Sequence, residues 1–150
     1  MLHLALMPDN KKEYSFGCVV VYRGPNGDQF LLVGQEDFWG FPKGHAEENE
    51  TQIETAQREL AEECSVSNST IIPEYVFRDA YTITYNGELI EKSIVFFLAI
   101  AGGTQCRPQE GEIKDCGYFP YVEARECLTY DGSKRILDEA KVILEKIPKK

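Results

Sequence analysis

The spacing of apolar residues changes several times along this chain, and each change predicts an element. Residues 15–23 form an apolar, β-branched run that ends in the turn Gly24-Pro25-Asn26-Gly27. Residues 29–34 answer it, which predicts a hairpin. Trp39 to Gly44 is aromatic and broken by Gly40, Pro42 and Gly44, and reads as a loop or a brief strand. From Thr51 to Cys64 the period lengthens. Ile53, Ala56, Leu60 and Cys64 recur at helical spacing and Ala61 widens the stripe. Thr51 followed by Glu54 is a capping box that marks the helix start. Small and β-branched residues at 65–67 close the helix.

Further on, Glu74 to Thr84 and Lys92 to Ala101 read as strands around the turn Asn86-Gly87. A short strand is expected over Gly117 to Tyr121 and a short helix over Pro120 to Leu128. Ser133 to Ile147 is amphipathic, with Ile136, Leu137, Ala140, Ile143, Leu144 and Ile147 on one helical face. The order strands, helix, strands, helix predicts an α+β fold, a mixed sheet with helices packed on it. No repeat or linker divides residues 1–150, which are expected to form a single domain.

Composition narrows the function. A chain of 150 residues with 43% hydrophobic and 27% charged residues has material for a core. Its formal net charge of −9 argues against duplex nucleic acid and against an anionic membrane surface. A polyanionic small molecule stays open, because a divalent cation reverses the local sign. The five cysteines show no CxxC spacing, so neither a zinc site nor a disulfide framework is expected. The longest apolar run, Ile94 to Ala101, is too short to span a bilayer. Residues 1–10 lack a basic leader pattern, and His3 among them carries no signal. The expected setting is cytoplasmic, and the expected state a monomer.

The negative charge is concentrated. Between Gly44 and Val66 stand Glu47, Glu48, Glu50, Glu54, Glu59, Glu62 and Glu63 against a single base, Arg58. Glu59, Glu62 and Glu63 are spaced to share one helical face, with neighbouring Cβ atoms about 5–6 Å apart. Like charges so placed repel, and a hard divalent cation with oxygen ligands turns that repulsion into coordination. Arg58 is placed to pair with Glu62 one turn on, or with Glu50 where the preceding loop meets the helix. Taken alone, such a face is more often solvated surface.

The full string reads Gly44, five residues, Glu50, seven residues, then Arg58-Glu59-Leu60-x-Glu62-Glu63-x-x-Val66. It resembles the Nudix box. The family's glycine after the paired glutamates is Ser65 here, at a position that favours a left-handed backbone. The resemblance implies an α/β/α sandwich and a Mg²⁺-dependent hydrolase, with Mn²⁺ able to substitute, acting on a nucleoside diphosphate linked to another group. It implies Glu59, Glu62 and Glu63 as metal ligands, Glu63 also as a catalytic carboxylate, and Glu50 and Arg58 as supporting residues.

The flanks hint at a substrate. Trp39-Gly40-Phe41-Pro42-Lys43-Gly44-His45 and the strand Lys92 to Ala99 resemble segments of the asymmetrically cleaving diadenosine tetraphosphate hydrolases of that family. This implies cleavage of a dinucleoside polyphosphate to ATP and AMP by water attack on phosphorus. Glu112 stands where those enzymes carry a loop glutamate, with Glu110 competing for the role. Lys43 and His45 are candidates for phosphate contacts; of the strand residues Tyr81 and Tyr85 one is expected to pack in the core, and Tyr81 is the better candidate for stacking on a base. Trp39 is expected to pack under the box. No second aromatic clamp is visible in the sequence. The alternatives are a pyrophosphohydrolase of 5′-triphosphate RNA ends or oxidised nucleoside triphosphates, and a Nudix-fold binding module without turnover.

Overall fold

The computed structural model describes residues 11–149; the terminal stretch holding His3 lies outside them. Its strands are β1 (Lys11–Gly24), β2 (Gly27–Gly34), β3 (Trp39–Gly40), β4 (Lys43–Gly44), β5 (Ser69–Tyr85), β6 (Glu88–Ala101) and β7 (Asp115–Pro120). Its helices are α1 (Gln52–Cys64), α2 (Tyr121–Cys127) and α3 (Asp131–Lys146). The strands form one mixed sheet in the order β3-β2-β1-β6-β5, with β7 on β2 and β4 on β1. β1 and β6 run parallel, whereas β1–β2 and β5–β6 are antiparallel hairpins.

Alternation along the strands feeds two cores. Val19, Val21, Phe30 and Leu32 point to the face covered by α3, where they meet Ile136, Leu137, Ala140 and Leu144. Cys18, Val20, Leu31 and Val33 point the other way, to Ala56, Leu60 and Cys64 of α1. The strands are therefore buried on both faces at the centre, which explains the unbroken apolar run at 18–21. The mixed sheet between helices is the α+β architecture that the patterning predicts.

Several elements reach further than their apolar patterns. β1 begins at Lys11, and β5 and β6 extend to the turn at Asn86-Gly87, because ladder hydrogen bonds carry polar residues that leave no apolar signature. Pro73, which donates no ladder hydrogen bond, falls at the register shift between Ile72 and Val76. Asn86 and Gly87 have φ of 51° and 79°, as a two-residue hairpin turn needs. The stretch 39–44 resolves into two short strands rather than one. A Cβ on Gly17 would collide with the Pro42 carbonyl and with Lys43, so glycine there lets β4 lie close against β1. That approach delivers Lys43 and Gly44 to the start of the site.

Candidate active site

The helix α1 starts as its sequence predicts. The Thr51 hydroxyl accepts from the Glu54 N–H at 3.1 Å, and the Glu54 carboxylate accepts from the Thr51 N–H at 2.9 Å. Its other end turns at Ser65, whose φ of 56° takes the left-handed conformation without a glycine. Between the two caps, Leu60 and Ala56 face the core while the carboxylates face β4 and solvent. Gly44 of β4 sits directly against Glu59: an added Cβ would occupy the space of that carboxylate.

Arg58 organises the acidic cluster more widely than its spacing suggests. Its Nε donates to Glu50 at 2.6 Å, its Nη1 to Glu59 at 3.1 Å and to Glu62 at 3.0 Å, and its Nη2 to the His45 carbonyl at 2.9 Å. Both pairings expected from the sequence occur together, and Glu59 is added to them. The Arg58 guanidinium, helped by the Glu47 N–H and the Thr55 hydroxyl, pulls the Glu50 carboxyl down to about 2.

Glu63 lies at the opposite extreme. It is buried, and burial together with the nearby Glu59 pushes its carboxyl up to about 7. One of its oxygens accepts from the Lys43 N–H at 3.1 Å. Burial also raises Glu59, against the pull of Arg58. Two crowded, partly desolvated carboxylates beside a third, Glu62, form an all-oxygen donor set whose repulsion a hard divalent cation relieves, so the residues fit Mg²⁺ or Mn²⁺. Among the described residues, however, no three such side chains converge as a ready cage. Arg58 holds Glu59 and Glu62, while Glu63 turns towards Lys43.

A cavity of about 540 Å³ opens on the α3 side of the sheet, the face opposite α1. Tyr81 and Lys92 form its strand wall, placed opposite each other on β5 and β6. Lys43 lines it too, and so links the cavity to the acidic helix through its N–H bond to Glu63. Phe38 and Tyr130 close the far side, with ring centroids 5.7 Å apart. Asp79 completes the rim near the start of α3. Burial pulls the Lys43 ammonium down, while the carboxylates of Glu63 and Glu59 hold it up. Lys92 is paired with Glu13 at 3.0 Å.

The structure thus brings Glu50, Arg58, Glu59, Glu62, Glu63 and Lys43 into one cluster and sets Tyr81 in the cavity that Lys43 also lines. His45 contributes its backbone carbonyl to Arg58, and its side chain is exposed. The loop 102–114 is tied to the end of α1, because Arg107 N–H donates to the Cys64 carbonyl and Gln109 N–H to that of Glu63, each at 2.9 Å. Glu110 and Glu112 both sit exposed on that loop. Trp39 packs edge-on against Phe119 at 5.9 Å, as expected of a packing residue.

Two expectations need correction. Neither Tyr81 nor Tyr85 packs in the core: they are 43% and 64% exposed, because the β5–β6 hairpin outruns the helices. A second aromatic surface does exist, in Tyr130 and Phe38. Lys92 was also within reach of the sequence. A two-residue turn at Asn86-Gly87 sets 81 opposite 92, so counting the register alone places a cation beside Tyr81. Tyr130 and Phe38 carry no such signal, since only the docking of α3 brings them together.

Comparison with known proteins identifies the family and the fold. The model of the NUDIX domain matches residues 11–139. The putative mutator protein MutT4 of Mycobacterium tuberculosis (strain CDC 1551 / Oshkosh) is 28% identical over 130 residues, covering 83% of this chain and 52% of that protein. The chain therefore spans about half the length of that relative. The binary complex of the C. elegans Ap4A hydrolase superposes with a TM-score of 0.76 at 20% identity, covering 90% of this chain and 99% of that one. The NUDIX domain of Shewanella oneidensis NrtR, complexed with ADP ribose, superposes with a TM-score of 0.69 at 18% identity, covering 95% and 97%. At these identities the structural matches speak to the fold.

Proposed function

This chain belongs to the NUDIX domain family, and from that premise we propose that it is a divalent-metal-dependent hydrolase that splits diadenosine tetraphosphate into ATP and AMP. One observation carries the reading: Lys43 belongs both to the aromatic cavity and, through its N–H, to the buried carboxylate Glu63. A base held in the cavity would therefore have its phosphates led by cations towards the acidic helix. The solved Ap4A hydrolase with the same fold supports the choice of substrate.

In this reading Glu59, Glu62 and Glu63 hold Mg²⁺, or Mn²⁺ in its place. When bound, the ion withdraws charge from phosphate oxygens and lowers the pKa of a water. The chain's own residues do the rest. Tyr81 and Tyr130 hold the adenine ring, a contact worth roughly 1–3 kcal/mol per stacked base. Lys43 and Lys92 neutralise phosphate oxygens beyond the carboxylates, with His45 at the mouth as a further donor. Arg58 and Glu50 fix the first turns of the acidic face. Glu63, placed beside the other two carboxylates, takes the proton of the attacking water. Glu112, ahead of Glu110, approaches the phosphate from the loop side. A monomeric, cytoplasmic enzyme is part of the same reading.

Diadenosine tetraphosphate incubated with the protein and Mg²⁺ should yield ATP and AMP in equal amounts, resolved by anion-exchange chromatography. Two ADP per substrate would contradict asymmetric attack. Inertness towards this compound, with rapid conversion of 5′-triphosphate RNA or a nucleoside triphosphate, would move the substrate to those classes. Nucleotide binding without turnover of any of them would make the chain a binding module.

A further inference from the structure

Asp79 is the one carboxylate among the described residues that line the cavity. It stands on β5 two residues before Tyr81, so both side chains leave the same face of the sheet. Tyr81 is registered with Lys92 across the ladder, and Asp79 with Ile94. The two rows lie about 7 Å apart along the strands. The wall is therefore cationic at the Tyr81 row and anionic at the next row towards the core.

The carboxylate is held at one oxygen. Oδ1 accepts from the Ala80 N–H at 2.9 Å and from Arg135 Nη2 at 3.4 Å. Arg135 is itself fixed, because Nη2 also donates to the Arg78 carbonyl at 2.9 Å and Nη1 to Glu139 at 2.6 Å. These are the hydrogen bonds that Asp79 makes among the described residues, and they leave Oδ2 as the open acceptor. Oδ2 lies against Gly132, which lines the same cavity and where any Cβ would collide with it. Glycine is a poor helix former, and Gly132 has no positive φ that would require it. Its role in α3 is steric: it makes room for the Asp79 carboxylate at the cavity rim.

We propose that Asp79 sets the base specificity of this cavity by accepting, through Oδ2, a hydrogen bond from the exocyclic amine of adenine. The assignment rests on the reading of the cavity as the base site of the nucleotide. Stacking on Tyr81 or Tyr130 does not separate the purines, since every base has a π-face. Separation needs a polar group at the ring edge, and an ionised carboxylate only accepts. The N6 amine of adenine donates, and one oxygen satisfies it. In the same pose guanine and hypoxanthine turn O6, an acceptor, towards an acceptor, and unsubstituted purine offers no group at all. A buried polar group matched to its substrate rejects analogues by about 10⁴–10⁵-fold. The Asp79 side chain is 20% exposed, so water can stand in for the missing amine. The expected preference is accordingly smaller, about tenfold. A carboxylate that merely ties β5 to α3 through Arg135 would influence all bases alike, so the ratio of affinities separates the two roles.

The test is calorimetric titration of the whole chain with the 5′-monophosphates of adenosine, guanosine, inosine and purine riboside. AMP should bind about tenfold more tightly than each of the others. Asp79→Asn supplies an amide that donates to O6, so GMP should gain on AMP until the preference is lost or reversed. Gly132→Ala, whose methyl takes the place of Oδ2, should lower the AMP preference in the same direction. Equal affinity for AMP and purine riboside monophosphate in the unaltered chain, or an AMP-to-GMP ratio that Asp79→Asn leaves unchanged, would overturn the assignment; binding that still weakens in Tyr81→Ala would then leave the cavity as the base site. Binding of none of the four, or binding that Tyr81→Ala does not weaken, would overturn the reading of the cavity itself and the role of Asp79 with it.

Discussion

The acid cluster and the aromatic cavity share Lys43 but are assembled in opposite ways. Every carboxylate that Arg58 touches, and Glu63 beyond them, comes from the continuous stretch between Glu47 and Glu63. The cavity draws Phe38, Lys43, Tyr81, Lys92 and Tyr130 from separate segments of the chain. One region is set by local geometry, since a capped helix fixes which carboxylates share a face. The other is set by the packing of β5, β6 and α3. In the function proposed above, the contrast becomes a division of labour: the local region carries the chemistry and the assembled one chooses what is brought to it. If so, damage to the first should strike turnover and damage to the second should strike binding.

The sharpest test of the first half is Glu62→Gln or Glu63→Gln. Loss of a metal-binding carboxylate or a general base typically costs about 10²–10⁴-fold in rate, and turnover should fall by that order. Nucleotide affinity, measured by calorimetry, should move little, and the circular dichroism spectrum should be unchanged. Near-native rates in both variants would reduce the acidic face to solvated surface and erase the comparison.

The same region makes a prediction without substrate, because its carboxylates titrate in opposite directions. Folded Glu63 keeps its proton up to about pH 7, whereas the unfolded residue releases it near 4.5. The folded state therefore binds more protons between those values, and its stability falls as pH rises from 4.5 to 7, then levels off. A raised pKa of this size corresponds to about 3 kcal/mol. Glu50 slopes the other way: its contribution is present above about 4.5 and is lost as pH falls towards 2. Urea unfolding of the metal-free protein against pH should show the downward slope, and Glu63→Gln should flatten it. Saturating Mg²⁺ should flatten it too if Glu63 is a ligand, since the cation favours the ionised form in the folded state alone.

How much was legible in the sequence follows the same division. The helix α1, its cap, its turn at Ser65 and the convergence of Arg58 on Glu50 and Glu62 were readable, because each depends on residues within a few turns of one another. The ends of β1, β5 and β6 were not, because their outer residues are polar and held by ladder bonds. Lys92 was half legible: its place opposite Tyr81 follows from the turn, but nothing in the sequence says that the face is open. Tyr130 and Phe38 were invisible, since only the docking of α3 brings their rings to 5.7 Å.

For the assembled region, Tyr81→Ala and Tyr130→Ala should each raise KM while leaving kcat within about twofold. Stacking of roughly 1–3 kcal/mol corresponds to about 5–150-fold in affinity. Trp39→Phe is the internal control, since Trp39 packs on Phe119 outside the cavity and its change should leave KM alone. A loss confined to kcat in the tyrosine variants would mean that the cavity positions the reacting phosphate instead of selecting the base.

The loop 102–114 belongs to neither region and gives the smallest expected effect. Its backbone is fixed to the end of α1 at Arg107 and Gln109, but Glu110 and Glu112 remain exposed beyond those anchors. A carboxylate on a loop has to come in over the phosphate, and it loses conformational freedom in doing so. Its contribution should therefore be smaller than that of Glu63, which the fold already holds in place. Glu112→Gln should lower kcat about tenfold, below the general-base range, and leave KM nearly unchanged; Glu110→Gln should do neither. Gly111, with φ of 83°, turns the backbone between the two. If Glu110→Gln is the damaging change, the loop approaches the helix by its other shoulder. A tenfold effect at either site would attach the loop to the chemistry of α1; an effect on KM alone would attach it to the cavity.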